Sequence, residues 1–198
     1  CRINMFLHDV DFDKFNIGQL LQVKNLGRIS AEFDIDGSGF KRNNANLSTK
    51  GEISKIYYNQ YNYSNIVVDG SINSPYFEGK LNVNDPNLFM DFEGFVDLSR
   101  KEFKYDFHTK IDYANLKKLN FMNDSISVFK GDIQMKVTGN SFDDLSGIVK
   151  ISQTAYHNDR ENYIFDDFTI ESSFDEDKVR TITINSPDII EGKIVGKY

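Results

Sequence analysis

The chain has 198 residues, of which 39% are hydrophobic and 27% charged, with a net charge of −7 and an isoelectric point near 5.0. That apolar content excludes intrinsic disorder. The acidity, with basic residues only in short runs such as Lys41-Arg42, Arg100-Lys101 and Lys117-Lys118, excludes a nucleic-acid backbone as partner.

Apolar alternation begins at once, with Ile3, Met5 and Leu7. Cys1 is the single cysteine, so no intrachain disulfide forms. There is no starting Met, no signal peptide and no apolar run of transmembrane length, which reads as a piece of a longer, exported protein. Over 13–26, Ile17, Leu20, Leu21 and Leu26 have near-helical spacing and predict at most a short helical turn, unstable without tertiary packing.

From there period-two alternation, the mark of strands with one apolar face, takes over. It predicts strands over 28–37, 45–57 and 61–73. Segment 76–83 sets Phe77, Leu81 and Val83 against Tyr76, Glu78, Lys80 and Asn82. Segment 88–98 carries Leu88, Met90, Phe92, Val96 and Leu98 on one face. In 102–113, Phe103, Tyr105, Phe107, Ile111 and Tyr113 alternate with charged and polar residues. A second short helical turn is expected at 114–121, around Leu116 and Leu119. Strands follow over 126–138, 145–153, 162–174, 178–186 and 189–198. Turn signals such as Asn73-Ser74-Pro75, Asn84-Asp85-Pro86-Asn87 and Ser186-Pro187-Asp188 separate them.

The expectation is therefore all-β: about eleven long antiparallel strands, most above the usual length of about five or six residues, and little helix. Alanine, the best helix former, occurs only at Ala31, Ala45, Ala114 and Ala155. No helix intervenes between strands, which points to meander pairing. No linker divides the chain, so 1–198 reads as a single β domain.

A glycine recurs two residues before an aliphatic at Gly51, Gly70, Gly79, Gly94, Gly131, Gly147 and Gly192. Both residues then share the apolar face. Glycine within a strand marks a bend, a bulge or the close approach of another group. A column of such gaps would let a long sheet curl into a folded-over form with an apolar groove inside. The alternative is that they relieve packing in an ordinary sandwich core.

Catalytic and metal chemistry finds no foothold in the residues. Asp9-Val10-Asp11-Phe12-Asp13 has the alternation of a calcium loop but carries Lys14 and Leu20 where glycine and an acid are needed, and Asp34-Ile35-Asp36-Gly37-Ser38 fails in the same way. His8, His108 and His157 are isolated, without metal-ligand spacing. The pairs Asp143-Asp144 and Asp166-Asp167 point to opposite faces of a strand. No enzyme activity, metal or cofactor is expected.

The glycine-punctuated strands resemble the TamB and AsmA-like family of bacterial envelope proteins, most of all its Bacteroidetes branch. The likeness lies in Gly51-Glu52-Ile53, Asp69-Gly70, Phe77-Glu78-Gly79, Asp85-Pro86-Asn87-Leu88, Phe92-Glu93-Gly94 and Tyr113-Ala114-Asn115-Leu116. It resumes in Glu191-Gly192-Lys193-Ile194 and covers roughly half the chain.

The resemblance implies a segment of a periplasmic β-taco, inner-membrane anchored in the full-length protein. Its groove would carry phospholipid acyl chains, and its partner would be an Omp85-family outer-membrane barrel of the translocation and assembly module. Groove candidates are Phe77, Leu81, Val83, Leu88 and Met90, followed by Phe92, Phe103, Tyr105, Phe107 and Ile111. The rival is a closed β-sandwich or barrel that serves as a surface adhesion or binding module, with these side chains sealed in its core.

Overall fold

Alternation at period two gives each strand one apolar side and one charged side, and pairing such strands in register collects each kind on one face of a sheet. In a computed structural model of the chain, residues 2–11, 26–39, 46–73, 76–97, 103–123, 125–139, 144–186 and 190–196 are described.

They form thirteen strands in one antiparallel sheet and no helix. The strands are β1 (Arg2–Asp11), β2 (Leu26–Ser38), β3 (Asn46–Tyr58), β4 (Tyr61–Asn73), β5 (Tyr76–Asp85), β6 (Leu88–Asp97) and β7 (Phe103–Asn115). They continue with β8 (Ser127–Gly139), β9 (Ser146–Asn158), β10 (Asn162–Phe165), β11 (Phe168–Phe174), β12 (Arg180–Ser186) and β13 (Ile190–Gly196). Their order in the sheet is their order in the chain, except that β10 and β11 both lie along β9. The path runs from β1 to β13 without returning on itself, so the sheet is open and not a barrel.

All eleven expected segments lie on strands. The count rises to thirteen because Arg2–Asp11 is a strand and because 162–174 breaks at Asp166-Asp167 into β10 and β11. At the break Gln153 on β9 has a left-handed backbone (φ 51) and its amide donates to the Asp167 carboxylate at 3.3 Å. The helical turn expected near 114–121 is a chain of tight turns instead. Leu119 N donates to Asn115 O at 3.0 Å and Phe121 N to Leu116 O at 2.9 Å, with Asn120 left-handed (φ 60), which prevents a helix from propagating. The expected turn at 13–26 lies outside the described residues up to Leu26, which begins β2.

One register shift changes a face. Between Ile111 and Ala114 an extra residue enters β7, so Ala114 rather than Tyr113 continues the apolar side. Tyr113 pairs with Phe89 on the charged side, their rings 5.9 Å apart.

The charged face carries its own register code. Asp34, Lys50, Asp69, Lys80, Glu93 and His108 lie opposite one another on successive strands, β2 to β7. Ion pairs close at 2.8 Å (Lys50–Asp69) and 3.0 Å (Lys80–Glu93). A slip of one strand would leave the row and expose the apolar side, so both faces specify the same pairing.

Candidate functional site

The apolar face is built in rows that run across the strands. One begins Ile35, Thr49, Gly70, Gly79, Gly94, Phe107. It continues Met135, Val149, Ile170, Ile184, Gly192. On one side of it lies the row Leu47, Ile72, Phe77, Val96, Tyr105, Val137. On the other lie Phe33, Gly51, Val68, Leu81, Phe92, Thr109 and then Ala31, Ile53, Ile66, Val83, Met90, Ile111. Four neighbouring rows are thus apolar or small throughout β2 to β7. On β6 and β7 this face carries two hydroxyls, Tyr105 and Thr109, and Thr109 donates to Asp91 O at 3.0 Å. At about 4.8 Å per strand, the row from Ile35 to Gly192 crosses about 50 Å of sheet.

This face is neither sealed nor bare. Phe77, Leu81, Met90, Phe92, Tyr105 and Phe107 are all half-buried, as are Leu47, Ile53 and Ile133. A second sheet packed on them would bury such side chains almost fully. The described strands all belong to one sheet, and on this face Ala31, Val68, Val83, Thr109 and Val137 are buried.

The candidates divide. The six just named stand on the open rows. Val83, 5% exposed, is buried and belongs to the core instead. Leu88 and Ile111 pack against the sealed cluster at one end of the strands. Phe103 lies at the start of β7, opposite Gly139. The sheet is single and open, not closed into a barrel.

All seven glycines lie on the apolar face, but as a column only Gly70, Gly79 and Gly94 stand level on consecutive strands. At Gly51, Gly70, Gly79 and Gly131 an aromatic ring approaches the gap. A methyl group on Gly79 would lie 3.1 Å from the Phe77 ring and 2.7 Å from the backbone of Gly70. On Gly131 it would meet Phe129 at 2.8 Å, on Gly94 the Phe107 side chain and backbone, and on Gly51 the Phe33 ring. Phe77-Glu78-Gly79 and Phe129-Lys130-Gly131 therefore form one device: the far end of the ring two residues ahead reaches into the space of the missing side chain. The Phe92 and Phe107 rings lie 5.2 Å apart in the same zone.

One end of the face is capped. The segment after β7 folds back over the strand ends and buries Leu119 (1% exposed) against Tyr63 and Ala114. Asn59, in the β3–β4 turn, and Asn120 clasp reciprocally. Each side-chain amide donates to the other's backbone carbonyl at 3.1 Å.

Beside the cap, Asp85 is 1% exposed. It accepts from Tyr61 Oη (2.6 Å), Ser64 N and Oγ (2.9 Å each) and Asn87 N (2.8 Å). Tyr63 stacks edge-on to Tyr61 at 4.8 Å, and burial pushes its phenol up to about 12. Near the opposite strand ends, Arg180 donates to Ser172 Oγ (2.9 Å) and Leu145 O (3.1 Å), tying β12 to the start of β9.

The clasp, the Asp85 hub and the ring-over-glycine pairs were not read from the sequence. Only the last had a local signal, the repeated Phe-x-Gly. The histidines stay apart: His108 pairs with Asp132 at 2.7 Å on the charged face. No group of three His, Cys, Asp or Glu side chains gathers as for a metal among the described residues. The chain matches no family model, no curated protein and no solved structure.

Proposed function

We propose that the chain is a segment of a TamB-like, AsmA-like envelope protein whose open apolar face holds phospholipid acyl chains, as conduit or scaffold in outer-membrane biogenesis. The observation that carries this reading is four adjacent apolar rows on a single open sheet, most of whose side chains are half-buried while Ala31, Val68, Val83, Thr109 and Val137 are buried. Soluble proteins seldom leave contiguous apolar surface of more than a few hundred Å² without a partner for it.

An acyl chain suits that surface. It spans half of a hydrocarbon core of about 30 Å, so about 15 Å, well within the rows. Each methylene taken out of water is worth about 0.8 kcal/mol. The apolar rows offer mostly hydrocarbon contact, and headgroups stay wet along the open side. Such a role needs a continuous apolar path and no bond-making residue. In the full-length protein this reading adds an inner-membrane anchor, a periplasmic location and an Omp85-family barrel as partner.

The test is lipid content. The protein is purified from a bacterial host without detergent, extracted with organic solvent and assayed by mass spectrometry. Near-stoichiometric phospholipid is expected. It should be lost in Phe107→Glu, with the fold checked by circular dichroism. A lipid-free, monomeric, cooperatively folding wild type would overturn the proposal.

A further inference from the structure

Large apolar side chains exposed one at a time are ordinary on a protein surface. Between residues 121 and 126 three stand together: Phe121 (57% exposed), Met122 (44%) and Ile126 (45%). They lie on the turn segment that follows β7. The same segment buries Leu119, which is 1% exposed, against Tyr63 and Ala114. The turn uses one apolar side chain as a plug and holds three outside.

The three are fixed relative to one another. Met122 Sγ accepts from Ser127 Oγ at 3.2 Å, and Leu116 N donates to Ser127 O at 2.7 Å, which sets Ile126 beside the base of the turn. Phe121 N and Met122 N both donate to Leu116 O, at 2.9 and 3.2 Å. The reciprocal Asn59–Asn120 bonds tie the turn to the β3–β4 hairpin. Leu119 fills the space beneath, so the three side chains stay outside.

Two further features say what meets them. The backbone of the turn is bonded within itself. Lys118 N donates to Asn115 Oδ1 at 3.0 Å, Leu119 N to Asn115 O at 3.0 Å and Asn120 N to Lys117 O at 3.2 Å. A segment that enters a hydrocarbon boundary must satisfy its backbone internally, whereas amides already bonded offer little to an extended peptide partner. In addition, Lys117 and Lys118 are exposed on the same turn. Their long stems carry the ammonium groups out beside the apolar tip. Apolar side chains bordered by lysine suit a phospholipid interface, with the apolar part at the acyl boundary and the cations at the phosphates. The foot of the turn is balanced in charge: Asp159, which accepts from Ser125 N at 3.2 Å, and Arg160 are both exposed.

We propose that the tip formed by Phe121, Met122 and Ile126 inserts into the surface of a phospholipid bilayer, with Lys117 and Lys118 at the level of the phosphates. The tip belongs to the cap and not to the open rows. Docking of the molecule at a membrane therefore goes beyond the acyl-chain reading and does not rest on it.

The chain contains no tryptophan, so Phe121→Trp supplies a single reporter. The full chain carrying it is titrated with vesicles of phosphatidylcholine and phosphatidylglycerol. Its emission should shift to the blue and saturate. Val67→Trp, at an exposed position on the charged face, should show no shift. Phe121→Ser combined with Ile126→Ser, with the fold checked by circular dichroism, should weaken co-sedimentation with the vesicles by about tenfold or more, since two apolar side chains no longer leave water. Lys118→Gln should weaken it about fivefold. No blue shift at Phe121→Trp, an equal shift at Val67→Trp, or a double variant that sediments like the wild type would overturn the proposal. A wild type that carries no lipid of its own yet docks through the tip would support it and overturn only the acyl-chain reading.

Discussion

Asp85 shows how this sheet tolerates a carboxylate in its interior. Burying a charge is costly unless it is fully hydrogen-bonded, and four donors converge on it. Asp85→Ala leaves those donors unpaired and is expected to lower unfolding stability by about 3 kcal/mol in a denaturant titration. A loss within the error of the wild-type curve would show that the hub contributes little.

Tyr63 makes a pH-dependent contribution. Its phenol holds its proton up to about 12 in the folded chain, against about 10 when unfolded. Between those values the native state binds more proton, so stability is complete below pH 10 and falls as pH rises toward 12. Tyr63→Phe should flatten that alkaline fall between pH 10 and 12. A parallel fall in both proteins would contradict the assignment. Neither residue's role was legible in the sequence. Asn84-Asp85-Pro86-Asn87 announced a turn, and only packing of the β4 hairpin against it turned Asp85 from a turn former into a buried acceptor.

At the scale of elements, the long strands were legible because alternation over ten or more residues has no helical counterpart, and the glycine parity placed all seven glycines on the correct face. What the alternation missed has local physical causes. The extra residue in β7 reverses a face without altering composition, and sent Tyr113 to the charged side. The break at Asp166-Asp167 depends on a left-handed Gln153 one strand away. The alignment of Gly70, Gly79 and Gly94 depends on strand register, which a sequence without turn geometry leaves open. The close cross-strand approach at Gly94 has a measurable consequence. A methyl at Gly94 would lie 2.5 Å from the Phe107 Cα, on rigid backbone. Gly94→Ala is therefore expected to cost about 1–3 kcal/mol by overpacking, read as a lower denaturant midpoint. A neutral or stabilising effect would show that this approach is looser.

For the whole molecule, the sequence left open whether the strands close on themselves, and the described strands form one open antiparallel sheet. The composition could not have decided this, since sealed and open faces need the same alternation. The groove candidates on β5 to β7 were legible as an apolar set. Which of them stand on open rows and which belong to the capped end was not, because the cap comes from a turn segment that folds back over the strand ends. The chain contains no tryptophan, which gives a direct probe of the face. Phe92→Trp places an indole on the apolar rows and Phe95→Trp places one on the opposite side, where Phe95 stacks on Tyr76 at 5.4 Å. With phospholipid brominated on its acyl chains, fluorescence of the first should be strongly quenched and that of the second little changed. Equal quenching at both positions, or none at either, would contradict an apolar face that holds acyl chains.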